Sequence, residues 1–200
     1  MYIPESFRIE DLSEILKFVK QNAFATIVTV SDGVPMANHI PLMLKRNDES
    51  VKLLGHMARA NEQWQHFSNE DEVLVIFHGP HSYVSPSNYD KNSKLIPTWN
   101  YAVVHMYGKA KVVDSKETSD IIESLTNLYE NARPNPVEPV YPERIVDMIV
   151  GFEVDVTRIE AKYKLSQNRS ENERKNIVID LKQSGKDVER ALANLMEATL

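Results

Sequence analysis

The chain has 200 residues, of which 42% are hydrophobic and 26% charged, the composition of an ordinary globular protein. It contains no cysteine, which excludes disulfides, thiolate metal sites and a cysteine nucleophile. Acidic residues outnumber basic ones by 29 to 23, and the net charge of −6 argues against a protein that grips nucleic acid by its phosphates. The six glycines are too widely spaced for a GxGxxG loop, a P-loop or a GxSxG elbow.

The length and the termini give the first expectations about organisation and location. Two hundred residues predict a single domain, with C-terminal helices at about 170–200. The N-terminus has no basic region followed by an apolar stretch, and no apolar run is long enough to cross a bilayer. With the absence of cysteine, these features predict a cytoplasmic protein.

The first part of the chain changes from a helical to an extended pattern. Apolar residues at helical spacing predict an amphipathic helix over residues 9–22. Phe24–Ser31 and Val34–Leu44 flank Asp32-Gly33, a pattern typical of a hairpin with a tight turn. A third strand is expected at Val51–His56, followed by a short helix at Ala58–Ser68.

In the second part of the chain, the predicted strands and helices follow one another less regularly. Strands are predicted at Glu72–His78, His81–Ser85, Trp99–Val113 and Phe152–Lys164, and helices at Ser115–Asn131, Ser170–Gln183 and Asp187–Ala198. Four prolines between Arg133 and Pro142 indicate an extended loop. Ser170 and Glu173 form a capping box, and Gly185 stands where a C-terminal cap belongs. Strands and helices do not alternate as in a parallel sheet, so the fold class is α+β with an antiparallel sheet or small barrel.

Three segments could bind a metal or another ligand, and for each a plainer structural interpretation is also possible. His78 and His81 could be metal ligands, but no third ligand is marked nearby, so two polar residues flanking a turn are favoured. The loop that contains Arg59 could bind an anion at the end of a strand, or simply place an arginine at the surface. The polar segment Lys164–Arg169 needs partners, which are either solvent or a ligand.

Seven motifs follow one another along the chain, namely Met1–Pro4, His39–Leu42, Gly55–Trp64, Val75–Pro80, Tyr83–Ser87, Pro97–Tyr101 and Lys164–Asn168. In order and spacing they resemble the PaiB family of FMN-binding negative transcriptional regulators. The resemblance covers nearly the whole chain. It implies an antiparallel split β-barrel with flanking helices, like that of pyridoxamine phosphate oxidase, and a homodimer with FMN in a groove at the interface. It also implies control of protease synthesis and sporulation genes.

The same resemblance implies a set of flavin contacts. The flavin would lie along the strand that bears His39 and Ile40, and its phosphate would meet His56, Arg59 and Asn61. The remaining contacts would be Ser85, Trp99, Asn100, Gln167, Asn168 and Arg169, partly from the second chain. No catalytic residue and no metal ligand is assigned.

Two alternatives to a regulator remain open from the residues. One is an FMN-dependent oxidoreductase of the same barrel type, and the other is a binding module for a different planar ligand such as haem. Direct DNA contact follows only from the family role, because neither the net charge nor the acidic last helix supports it.

Overall fold

The computed structural model describes residues 1–47, 50–68, 72–93, 96–138 and 140–200, and for Glu143 the backbone alone. The strands are β1 Arg8–Ile9, β2 Phe24–Ser31, β3 Val34–Pro41, β4 Met43–Arg46, β5 Val51–Ala58, β6 Val73–Val84, β7 Thr98–Val112 and β8 Ile149–Lys164. The α-helices are α1 Leu12–Gln21, α2 Ser115–Glu130, α3 Glu143–Val146, α4 Glu171–Gln183 and α5 Asp187–Glu197. Short 3₁₀ helices occupy Glu5–Phe7, Glu62–Ser68 and Pro86–Asn88.

The eight described strands form one sheet in the order β3-β2-β6-β7-β8-β5-β4, and β1 pairs with β8. Strand pairs such as β2–β3 and β5–β8 are antiparallel, with Thr26 opposite His39 and His56 opposite Gly151. Together with the helices this is an α+β fold, so the predicted class is confirmed.

By its internal contacts the chain divides into two compact units. The first unit contains Met1–Ile15, His78–Val104 and Glu160–Leu200, and the second contains Leu16–Phe77 and His105–Ile159. The core of the first unit includes the fully buried side chains of Tyr163, Leu165, Ile177, Leu192 and Met196. The core of the second includes Ile27, Leu53, Phe77 and Phe152. The predicted single domain is not tested by this division and stays a prediction.

Local sequence signals account for several element boundaries. The hairpin turns at Asp32 and Gly33, whose φ angles of 51° and 78° suit the tight turn that matches strand twist. Ser170 and Glu173 make the predicted capping box at the start of α4, and Gly185 follows the helix with a φ of 76°. These predictions are confirmed.

Three expected boundaries are wrong. Val34–Leu44 is not one strand, because β3 ends at Pro41 and β4 begins at Met43. Glu72–His78 and His81–Ser85 are not separate strands, because β6 continues through Gly79 and Pro80. The register with β2 covers only Leu74–Ile76, so the missing N–H of Pro80 interrupts no bond in that ladder. The helix expected from Ala58 begins at Glu62 instead, since β5 extends to Ala58 and a turn follows it.

Candidate functional site

Five of the predicted flavin contacts lie in the second unit, on β3, β5 and the turn after β5. On β3, the His39 side chain is exposed beside the Phe24 ring, with ring centroids 6.4 Å apart. Ile40 follows it and is buried, as alternation along a strand requires. Strand β3 therefore presents the imidazole, and not the Ile40 side chain, to the surface.

His56 lies on β5, next to the close approach made by Gly55. A Cβ at Gly55 would come within 2.9 Å of the Phe152 ring, so this position has no room for a larger residue. The Nδ1 atom of His56 is buried and has no hydrogen-bond partner among the described residues. Burial lowers the pKa of His56, which favours the neutral imidazole. A neutral ring can accept or donate one hydrogen bond to a ligand.

The turn that carries Arg59 is fixed by hydrogen bonds on every side. The Arg59 guanidinium donates from Nε to the Asp147 carbonyl at 2.7 Å and from Nη2 to the Ile149 carbonyl at 3.0 Å. Its backbone N–H donates to the Met148 carbonyl at 2.8 Å, and its own carbonyl accepts from the Trp64 indole at 2.9 Å. Arg59 thus has a structural role, while the remaining guanidinium N–H groups can still meet an anion.

Gln63 is a residue that the sequence analysis missed. It is fully buried, and its amide nitrogen lies within 3.2 Å of three acceptors, the Ile27 carbonyl, the Met36 carbonyl and the Thr29 hydroxyl. Its amide oxygen accepts from Asn38 at 2.9 Å.

The same residue also orders the predicted contact Asn61. The Asn61 side-chain oxygen accepts the backbone N–H of Gln63 at 3.1 Å. Gln63 therefore joins the β2–β3 hairpin to the turn that carries Arg59 and Asn61. The sequence shows only a glutamine among polar residues, and its burial depends on the fold.

The other six predicted contacts lie in the first unit, and two of them point in opposite directions. Trp99 and Asn100 are neighbours on β7, so their side chains lie on opposite faces of the sheet. Trp99 is 54% exposed and stands edge-on to Tyr83, with ring centroids 6.2 Å apart. Asn100 is fully buried and exchanges two hydrogen bonds with the Ser166 hydroxyl, at 2.9 and 3.1 Å.

Ser85 and Gln167 use their side chains locally. Ser85 caps the short helix at Pro86–Asn88 by accepting from the N–H of Ser87 at 3.2 Å. Gln167 donates to the Tyr163 carbonyl at 2.6 Å and accepts from the N–H of Leu165 at 2.7 Å. Both side chains stabilise the local backbone around them, and their contacts with a flavin stay predictions.

A cavity of about 390 Å³ lies in the first unit, where the segment after β8 meets the start of β7. We call it the β7–β8 cavity. Its polar lining residues are Thr98, Asn100, Lys164, Ser166, Asn168 and Arg169. Three of these are predicted flavin contacts, and Lys164 opens the polar segment Lys164–Arg169 for which the sequence left solvent or a ligand as partners. The volume falls within the usual range of small-molecule pockets.

Ser166 shapes this cavity through an unusual backbone conformation. Its φ is 62°, in the left-handed region that residues other than glycine seldom adopt. The Arg169 N–H closes the turn on the Ser166 carbonyl at 2.9 Å, and the Ser166 hydroxyl is held by Asn100. The turn therefore holds the cavity-lining residues Asn168 and Arg169 in a fixed arrangement.

A second cavity, of about 410 Å³, lies between α2 and β4–β5 in the second unit. It contains none of the predicted contacts, and its lining includes the carboxylates of Glu117, Asp120 and Glu153 beside apolar groups such as Ile121. Among the described residues, no group of three histidine or acidic side chains could hold a metal ion. No helix in the described part of the chain is long and apolar enough to cross a membrane.

Comparison with known proteins identifies the family. A family model described as "Putative FMN-binding domain" matches residues 1–158. A relative from Bacillus subtilis, "Protease synthase and sporulation protein PAI 2", is 40% identical over 205 residues, which cover all of this chain and 98% of the relative. An uncharacterized protein of Emericella nidulans is 30% identical and covers 98% of this chain and 96% of its own length.

Solved structures agree on the fold. A FAD- and haem-binding protein from Mycobacterium smegmatis superposes with a TM-score of 0.62 at 13% identity, covering 78% of this chain and 73% of that one. A protein from Bacteroides thetaiotaomicron, titled as a putative 5-nitroimidazole antibiotic resistance protein, gives 0.59 at 18% identity, covering 78% and 85%. The chain therefore belongs to the PaiB family of FMN-binding proteins, with the flavin-binding split β-barrel fold.

Proposed function

We propose that this protein is an FMN-binding negative regulator of transcription that controls protease synthesis and sporulation genes. The observation that carries the proposal is the 40% identity to the Bacillus subtilis protein, which extends over both chains almost end to end. A full-length match of this kind means that the two proteins share their whole architecture, and not only a cofactor-binding module. An FMN-dependent oxidoreductase has no stronger support. A regulatory role also agrees with the cytoplasmic location that the sequence predicts.

The residues at hand suit FMN chemically. His56 offers a buried nitrogen that has no partner in the described part of the chain, Arg59 a cation on a fixed turn, and Asn61 an amide beside it. A phosphate is bound well by such a guanidinium, and a ribityl chain by amides and imidazoles. When bound, FMN supplies one- or two-electron redox chemistry. The chain's own task in this proposal is to bind and orient it.

We assign flavin binding to the eleven residues implied by the family, namely His39, Ile40, His56, Arg59, Asn61, Ser85, Trp99, Asn100, Gln167, Asn168 and Arg169. The protein would act as a homodimer, with part of the set supplied by the second chain. The −6 charge predicts that any DNA contact by this protein alone is weak and sensitive to salt.

A reporter experiment tests the regulatory role. Deletion of the gene in its host should raise transcription from promoters of secreted proteases, and a plasmid copy of the chain should restore repression. A matched plasmid with a stop codon in the same frame is the control. If deletion and complementation leave these promoters and sporulation unchanged, the proposed regulation is wrong, whatever the flavin content of the protein.

A further inference from the structure

The β7–β8 cavity contains a lysine in an unusual electrostatic position. The Lys164 ammonium is partly buried and donates to the Trp99 carbonyl at 2.6 Å and to the Thr98 hydroxyl. Both acceptors are neutral. Burial lowers the pKa of Lys164, and the positive charges of Lys162 and Arg169 lower it further. An ammonium among cations and neutral oxygens is stabilised strongly by an incoming anion.

Arg169 adds a second cation to the same cavity. Its guanidinium carbon lies 3.9 Å from the centroid of the Tyr89 ring, and Nη1 is 3.8 Å from the Glu173 carboxylate. That carboxylate is itself engaged, because it accepts from the backbone N–H groups of Asp90 and Ser170, both at 3.2 Å. The ion pair with Glu173 and the Tyr89 ring together position the Arg169 guanidinium at the cavity.

The rest of the lining suits an oxyanion. Asn168 and Thr98 supply an amide and a hydroxyl, and no described residue that lines this cavity is acidic. The cavity of the second unit has a similar volume, but its lining contains three carboxylates and one cation, Lys45. Of these two cavities, the β7–β8 cavity is therefore the one whose charge fits an anion.

We propose that the β7–β8 cavity is an oxyanion-binding site, with Lys164 as its central cation and Arg169 as the second. It takes the phosphate or carboxylate of a small molecule. Two sources can supply this group, the phosphate of FMN itself or a separate anionic ligand. The proposal rests on the cavity, although Asn100, Asn168 and Arg169 also belong to the proposed flavin contacts, and its test separates the two sources.

The experiment uses inorganic phosphate as the probe. Calorimetric titration at constant ionic strength, with chloride as the balancing salt, should show binding to the parent protein. Lys164→Met should weaken it at least tenfold, since a charge-assisted hydrogen bond is lost. Lys164→Arg, which keeps the charge, should restore most of the affinity. Lys175→Met is the matched control, because Lys175 is an exposed lysine on α4 outside the cavity, paired with Glu171.

A second arm identifies the source of the anion. FMN and riboflavin are titrated against the parent and Lys164→Met, with and without phosphate. If the variant loses affinity for FMN but not for riboflavin, and phosphate competes with FMN, the site holds the flavin's own phosphate. If FMN binding is unchanged and phosphate does not compete, the site takes a separate ligand.

Either result of that arm supports the oxyanion site. Two results would overturn it, provided that the ratio of FMN to riboflavin affinity is also unchanged in the variant. One is equal phosphate affinity in the parent and Lys164→Met, and the other is no phosphate binding to either protein. Circular dichroism of each variant verifies the fold. Because the phosphate titration needs no flavin, a protein that bound phosphate but no FMN would contradict the proposed function and leave this site standing.

Discussion

At the scale of single residues, the turn after β5 combines support and recognition in one side chain. Arg59 fastens the turn to the backbone around α3 and β8 through two carbonyls. The same cation is the implied partner of the flavin phosphate. Replacing a residue with both roles should change the stability of the protein and its affinity for FMN together. A ligand that lacks the phosphate separates the two effects.

Replacement of Arg59 by alanine is expected to weaken FMN binding by about tenfold to a hundredfold, because a charge-assisted hydrogen bond of roughly 1.5–3 kcal/mol is lost. Riboflavin, which has no phosphate, should bind the parent and Arg59→Ala almost equally. Titrations followed by flavin fluorescence give both affinities. If riboflavin loses as much affinity as FMN, Arg59 is purely structural and the phosphate lies elsewhere.

The buried Gln63 amide should be important for stability. Gln63→Leu removes the donor that three acceptors share and places an apolar group among them. Unsatisfied buried polar groups cost about 1–3 kcal/mol each, so we expect a loss of about 2–4 kcal/mol in urea unfolding. Gln21→Leu, at an exposed position at the end of α1, should change stability by less than about 0.5 kcal/mol. A similar small effect at Gln63 would show that its hydrogen bonds contribute little.

At the scale of elements, the close packing of β7 and β8 depends on a missing side chain. A Cβ at Gly108 would lie within 2.9 Å of the Asp155 carbonyl carbon and of a Val154 methyl group. At Gly33, in the hairpin turn, a Cβ would meet nothing within 4 Å, although the φ of 78° disfavours other residues. The first glycine is required by space and the second by backbone conformation.

Two alanine substitutions therefore should differ in cost. Gly108→Ala must move backbone atoms of β8, and we expect a loss of about 3 kcal/mol or more, at the upper end of overpacking. Gly33→Ala should cost only about 1–2 kcal/mol, the price of the left-handed conformation. Thermal unfolding of both variants provides the comparison. Equal losses would mean that β8 can move away from β7 without strain.

Elements with local signals could be predicted from the sequence, and elements set by distant contacts could not. The turn at Asp32-Gly33 and the capping box of Ser170 and Glu173 depend on neighbours within four positions. The extension of β6 through Pro80 depends on which strand lies beside it, and this the sequence does not encode locally. The same holds for Gln63, whose partners stand more than twenty positions away.

The same distinction between local signals and distant contacts applies to the candidate site. Family motifs named the residues at issue, such as Arg59 and Asn100, but not where their side chains point. The placement of Trp99 and Asn100 on opposite faces follows from strand geometry once β7 is known. The sequence marked the polar segment Lys164–Arg169, but not that Lys164 shares a cavity with Thr98 and Asn100 at the start of β7.

At the scale of the whole molecule, the account predicts a homodimer. In the second unit, β3 ends the strand order, and the β2–β3 hairpin exposes Phe24, Val30 and Val34, each by more than half. Val34 lies on the end strand itself, and Phe24 and Val30 lie on β2 beside it; exposed apolar groups at the edge of a sheet are typical of an interface. Light scattering at micromolar concentration should give a mass near twice the 22.9 kDa of one chain. A stable mass near a single chain would contradict the dimer and the shared flavin groove.

The central claim is that this chain binds FMN, and the most direct measurement is the absorption spectrum of the freshly purified protein. We expect a yellow protein with the near-ultraviolet and visible bands of an oxidised flavin, at about one FMN for each chain after saturation. Denaturation should release FMN rather than FAD. A colourless protein that also fails to bind added FMN, by absorption and by quenching of flavin fluorescence, would contradict the account.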